Sequence, residues 1–381
     1  MAKLESRIIV ATTLMAAIGI SSAWGQTQTK PASRPTIDVT VDPQVELLSI
    51  IFRLVGNPEY NQTKVPGYAK DVDDHFAAFK DHAVVQTARQ MRAQHGVAYD
   101  APMSLAVHLK DVANFEPILP LQPWPEGLDG RWQSDTFETF LSQAKDFAAA
   151  SGFQSFFDAH QALYQQSVSR MRQLLAEQAH LDWFDSFFGM RQGCRFHLVL
   201  GMLNGPMCYG PHVERQGQWD LYCILGVWTV DNQGIPIFGK AVMPTVVHEF
   251  THSYVNPLVD KWAPQLSKAG GALFQIHRQR MSQMAYKTWQ IMIKESLVRA
   301  SVIRQIQRYE GPAAAKAATT KEVDQGFVWM PGLVDLLGQY ERERSKYPTF
   351  EAFMPRVVEF FNAAAAPPAA PSASNAPATP R

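Results

Sequence analysis

The sequence predicts an α+β fold, mostly helical, on three observations. Apolar residues recur at three- and four-residue spacing through most of the first 190 positions. Between residues 194 and 238 the texture changes to short runs rich in Phe, Leu, Val, Ile, Tyr and Trp, separated by Gly and Pro clusters. From residue 244 helical spacing returns and continues to about residue 362.

Taken in order, Thr36 to Val41 alternates like a short strand, and Asp42-Pro43 opens a helix carrying Val45, Leu47, Leu48, Ile51, Phe52 and Leu54. Further helices fit His75 to His95, Thr136 to Ala150 and Gln154 to His180, with connections such as Pro117 to Gly130 between them. Cys194 to Leu203, Trp219 to Val230 and Ile235 to Phe238 read as a small antiparallel sheet. Pro244 suits the first turn of the next helix, whose buried stripe is Val246, Val247, Phe250, Tyr254 and Val255. Pro257 removes a helical hydrogen bond, so this helix should end or kink near Asn256. One long helix is expected from about Ala272 to Tyr309, stopped by Gly311-Pro312, and a closing pair at Gly332 to Arg344 and Phe350 to Asn362.

The two ends differ from this body. Lys3 and Arg7 precede an apolar run from Ile8 to Ile20, and Ala23-Trp24-Gly25 offers small residues where a signal peptidase reads. Residues 1–25 are therefore read as an export signal, 26–35 as a flexible lead-in, 36–190 as a mainly helical part, 191–362 as the core that carries the chemistry, and 363–381 as a disordered Ala/Pro-rich tail. The expected location is periplasmic or secreted. No later run is long enough to span a membrane. With 46% hydrophobic residues and 35 basic against 35 acidic residues, the chain is an ordinary folded protein. Removing residues 1–25 takes Lys3, Arg7 and Glu5 and leaves 33 basic against 34 acidic, a balance with no electrostatic footprint for nucleic acid or an anionic membrane. Three cysteines, Cys194, Cys208 and Cys223, allow at most one disulfide, for which Cys208 and Cys223 could face each other across a hairpin. Oligomeric state is not legible.

The chemistry sits at His248-Glu249-Phe250-Thr251-His252. On a helix the two imidazoles lie on one face about one turn apart, placed to grip one metal ion, while Glu249 points roughly a quarter turn away and reaches a water on the metal instead. Two histidines hold zinc poorly, so a third ligand is needed. Two residues compete for it. Glu295 lies among Ile291, Met292, Val298, Val302 and Ile303, where a carboxylate is costly without a partner. That partner is either a metal ion or Arg299, four residues on. His277 is the rival ligand; on a continuous helix it would stand about 27 Å from Glu295, so at most one of them reaches the metal. Glu310 and Glu322 read as solvated charges, and His75, His82, His197 and His212 as surface or core imidazoles. An oxyanion donor is still required, for which Tyr209, Tyr254, Tyr286 and His277 are open candidates. The run Leu203 to Gly210 reads either as a sheet edge that pairs an extended peptide or as a plain hairpin loop.

A His-Glu-x-x-His helix behind a sheet, followed by a helical glutamate, resembles the gluzincin group of zinc peptidases, the thermolysin-like clan. That resemblance implies a zincin-like core, Zn2+ as cofactor, His248, His252 and Glu295 as ligands and Glu249 as general base. Val45 to Leu54, His248 to Pro257, Glu295 to Ala300 and Tyr347 to Phe350 also resemble an uncharacterised family of exported bacterial proteins known only as a domain of unknown function. Thermolysin-like enzymes often carry an acid four residues after the ligand glutamate; here Arg299 stands there, so another group must hold the zinc imidazole. The expected activity is zinc-dependent hydrolysis of a peptide or protein substrate. The alternatives are a non-catalytic exported binding or scaffold protein with a structural or decayed metal site, and a zinc amidase acting on cell-wall material.

Overall fold

The computed structural model describes residues 36–366 apart from 192 and 285; the stretches read as export signal (1–25) and lead-in (26–35) and residues 367–381 lie outside the described residues. Strand β1 (Ile37–Thr40) runs into helix α1 (Pro43–Val55). Asp42 starts that helix by accepting hydrogen bonds from the Gln44 and Val45 amides at 2.9 and 3.0 Å. Its apolar residues sink into the core, Val45, Leu47, Leu48, Ile50, Ile51 and Phe52 all being buried.

Helices α2 (Pro66–Phe76), α3 (Ala83–His95), α4 (Asp100–Val107), α5 (Phe137–Ala150), α6 (Phe153–Ala159), α7 (Gln161–Gln178) and α8 (Asp182–Phe188) complete the first half. The single helix expected from His75 to His95 is two. His82 leaves helical geometry and its Nδ1 accepts from the Val84 amide, capping α3. The helix expected from Gln154 to His180 likewise breaks at His160.

The sheet contains β2 (Cys194–Gly201), β3 (Cys208–Tyr209), β4 (His212–Arg215) and β5 (Gln218–Gly226) beside β1. It is mixed, which corrects the antiparallel expectation. β1, β2 and β5 run parallel, while β3 and β4 lie antiparallel on the far side of β5. After Gly201 the chain crosses to that far edge, forms β3 and β4, and reverses through Gln216-Gly217 at φ 51 and 75, the positive pair that a two-residue hairpin turn requires. β5 then enters between β2 and β4. A strand buried on both faces reads as a continuous apolar run, so the sequence of β5 could not reveal its direction. The run from Ile235 to Phe238 is not a strand; it contributes one isolated bridge, Val230 to Pro236, and Arg170 holds its carbonyls at Ile235 and Pro236. All three cysteines are free thiols, with no bond between Cys208 and Cys223.

Helix α9 (Met243–Lys261) follows and packs on β5. The five residues of its expected stripe are all buried. It does not end near Asn256. Pro257 cannot donate to the Ser253 carbonyl, but Arg191 does so at 3.1 Å, its guanidinium lying over the rings of Trp219 and Tyr254 at 4.2 and 4.7 Å. The long helix expected next is also two, α10 (Ala263–Gln283) and α11 (Trp289–Glu310). Thr288 starts α11 by accepting from the Ile291 amide. Helices α12 (Pro312–Asp324), which has no counterpart in the sequence reading, α13 (Met330–Arg342) and α14 (Phe350–Ala364) close the fold. Residues 363 and 364 of the expected tail thus belong to α14. α11 lies against α9, α10, α12 and α13, and this placement builds the site. Among the described residues no helix is long and apolar enough to cross a membrane.

Candidate metal site

His248 and His252 project from α9 and Glu295 from α11, and one ligand atom from each lies within 4.8 Å of the others. The two Nε2 atoms are 3.1 Å apart. Glu295 Oε1 is 3.5 Å from His252 Nε2, and Oε2 is 3.7 Å from His248 Nε2. Those carboxylate contacts are too long for good hydrogen bonds. They match another geometry: donors about 2.0–2.1 Å from one tetrahedral ion stand about 3.3 Å from each other. The set can therefore hold a metal ion.

Protonation favours the same reading. Burial pulls His248 down to about 3 against the opposing pull of Glu295, with His252 and Arg299 adding to it, which favours the neutral ring able to ligate. Asn256 Oδ1 lies 3.2 Å from His252 Nδ1, which places the proton there and leaves Nε2 with its lone pair. Asn256 fills the orienting role that the sequence left vacant. Burial would push Glu295 up, but the charge of the imidazoles when protonated, the permanent charge of Arg299 and the Tyr286 hydrogen bond hold it below the usual carboxylate range.

Arg299 does pair with Glu295, Nε to Oε2 at 3.2 Å, yet this does not consume the carboxylate. The guanidinium also donates to Glu322 at 2.7 Å, to Gln325 at 3.0 Å and to the Tyr286 hydroxyl at 2.8 Å. Glu322 is thus a partly buried ion-pair partner and not a solvated charge, which corrects the reading from sequence. Tyr286 donates to Glu295 Oε2 at 3.0 Å. Of the four candidate donors it alone touches the cluster. Tyr254 is buried against Phe184 and Phe188, His277 packs edge-on against Trp329, and the buried Tyr209 hydroxyl has no partner among the described residues. His277 does not join the ligand set, though not for the reason expected, because the helix that was to separate it from Glu295 is broken.

Glu249 is 6% exposed and accepts no hydrogen bond among the described residues. Burial first, then the Glu295 and Asp100 charges, raise it well above the usual carboxylate range. Gly210, at the end of the Leu203 to Gly210 run, passes so close to this residue that a Cβ would meet the Glu249 carbonyl at 2.1 Å. The run is the edge of the sheet through β3, and it lies directly on the metal-site helix.

Fold and site together define an α+β chain, mostly helical, with a partly buried two-histidine, one-glutamate cluster able to hold a metal ion. The chain belongs to the family described as domain of unknown function (DUF4932), whose profile matches residues 128–360. That span includes both site helices and leaves the Val45 to Leu54 run outside. No curated protein and no solved structure matches the chain.

Proposed function

We propose that this protein is a zinc-dependent hydrolase, a metallopeptidase of gluzincin type acting on peptide or protein segments. The observation that carries the proposal is the convergence of His248, His252 and Glu295 at tetrahedral spacing from two separate helices, α9 and α11, with an unpartnered acid beside the first histidine. Two imidazoles and one carboxylate are the donor set that suits zinc with a fourth position left open. Zinc held there supplies Lewis acidity, which polarises a substrate carbonyl and brings the pKa of a water near 7.

The chain's own residues do the remainder. Glu249 takes the proton of the attacking water and passes it to the departing amine. Tyr286 and Arg299 fix the Glu295 carboxylate, and Asn256 fixes the His252 ring. The β3 edge beside α9 offers backbone groups to an extended substrate strand. A purely structural metal site has no use for Glu249, which supports catalysis over a scaffold role. The test is cleavage of a peptide library with and without a chelator. Chelator-sensitive cleavage supports the proposal; zinc-loaded protein that cleaves nothing in the library contradicts it.

A further inference from the structure

The turn that ends α12 is built around one guanidinium. Glu322 and Gln325 both accept from Arg299 Nη1, at 2.7 and 3.0 Å, and the Phe327 ring lies 5.0 Å from the guanidinium carbon. The backbone fixes those three side chains relative to one another. The Gly326 amide donates to the Val323 carbonyl at 2.9 Å and the Phe327 amide to the Glu322 carbonyl at 3.0 Å, the paired bonds of a helix stop whose glycine stands at φ 108. From α10, Arg280 donates to the Asp324 and Gln325 carbonyls at 3.0 and 2.9 Å and so ties the turn down. The effect shows at Glu295. A guanidinium beside a carboxylate ordinarily closes a two-bond fork on both oxygens, as Arg195 does on Asp220 through Nε and Nη2 at 2.6 and 2.7 Å. Arg299 does not. Its Nε gives Glu295 Oε2 one long bond of 3.2 Å, its Nη2 goes to the Tyr286 hydroxyl at 2.8 Å, and Oε1 is left facing His252 Nε2.

We propose that Glu322 is a positioning residue for the metal site: it draws Arg299 back, so that the guanidinium steadies Glu295 by one bond and does not close on both of the oxygens a metal ion needs. Glu322 touches no metal ligand among its hydrogen-bond partners and acts only through Arg299. Its charge matters as well as its reach. Arg299 is a permanent cation within bonding distance of a ligand, and a second carboxylate offsets the repulsion that it would exert on a divalent ion. This role rests on the reading of His248, His252 and Glu295 as a zinc site, and it adds α12 to the parts of the fold on which that site depends.

Zinc affinity of the full chain, measured in competition with a chromophoric chelator, tests it. Glu322→Gln keeps the shape and removes the charge, and it should weaken zinc binding about tenfold. Adding Arg299→Gln to that variant should then restore at least about threefold of the loss, because the guanidinium that closes on Glu295 is gone. A merely structural role for Glu322 predicts the reverse, a second loss on top of the first. Circular dichroism checks the fold of each variant. Should Glu322→Gln unfold, Gln325→Ala removes the other acceptor and is read by the same pair of measurements, with an expected loss of about threefold. The proposal is overturned if the folded single variant binds zinc as the wild type does, or if the double variant binds it no better than the single one. A wild type that binds no zinc overturns the metal-site reading together with this one, whereas zinc bound equally by wild type and Glu322→Gln overturns this one alone.

Discussion

Two buried acids in this molecule each keep company with histidine and arginine, and only one of them is spaced to hold a metal ion. Asp220 on β5 receives Arg195 at 2.6 and 2.7 Å, His197 at 2.9 Å and Arg215 at 2.9 Å. Its oxygens are saturated by the protein. Glu295 receives Tyr286 at 3.0 Å and Arg299 at 3.2 Å, while its two histidines stand back at 3.5 and 3.7 Å. The residue types are nearly the same in both places. The difference is spacing: hydrogen-bond distance closes a site, and tetrahedral-edge distance leaves room for an ion.

The comparison can be broken most severely at Glu249, which has no counterpart near Asp220. Glu249→Gln should keep the metal and lower hydrolysis by about 10²- to 10⁴-fold, measured on a cleaved library peptide. Unchanged turnover would remove the catalytic reading.

A third buried acid sharpens the contrast. Glu46 has two donors, the Tyr68 hydroxyl and the Met202 amide, each at 2.8 Å, and no cation, so burial wins and pushes it up to about 7. A folded-state value above the unfolded one means that the folded state holds the extra proton. The associated stability is present below the unfolded value of 4.5 and is lost as pH rises to about 7. Denaturant melts across that window should show a loss of at most about 3 kcal/mol, and Glu46→Gln should flatten it. Asp220 runs the other way. Burial opposes its charge, but His197, Arg195 and Arg215 outweigh that and hold it well below the usual range. Its contribution is therefore present at neutral pH and is lost only as pH falls below about 4. Asp220→Asn should cost about 2 kcal/mol at pH 7 and leave zinc content unchanged, the two readings being a urea melt and metal analysis.

The smallest expected effect lies at Asn256. Asn256→Ala frees the His252 ring and should weaken zinc binding about tenfold in competition with a chromophoric chelator. An unaltered affinity would mean that the His252–Asn256 contact does not orient the ligand.

The parts of this site that follow one helix were legible in the sequence. His248, Glu249 and His252 needed only the 3.6-residue period, and Glu295 stood out as an acid in an apolar stripe. Asn256 was equally available, four residues after His252, had the same spacing been carried one turn further. What stayed hidden depended on partners distant in the chain. Arg191 reaches across to the Ser253 carbonyl and so carries α9 past Pro257, a rescue that no local pattern contains. The break between α10 and α11 brings Tyr286 to Glu295, and no Gly or Pro marks it; its signal was Thr288 as a helix cap, overlooked inside a strong apolar period. The mixed sheet was hidden because the reading of Leu203 to Gly210 stayed open between sheet edge and hairpin loop and no strand was assigned to 211–217, although Cys208–Tyr209 and His212–Arg215 form two short strands on the far edge of β5.

The central claim, that spacing and not residue type makes the metal site, is tested most directly by metal analysis of purified wild-type, Glu295→Ala and Asp220→Asn proteins after equilibration with zinc. The account predicts about one zinc per chain in the wild type and in Asp220→Asn, and almost none in Glu295→Ala. Equal zinc in Glu295→Ala and the wild type, or none in the wild type, would contradict it.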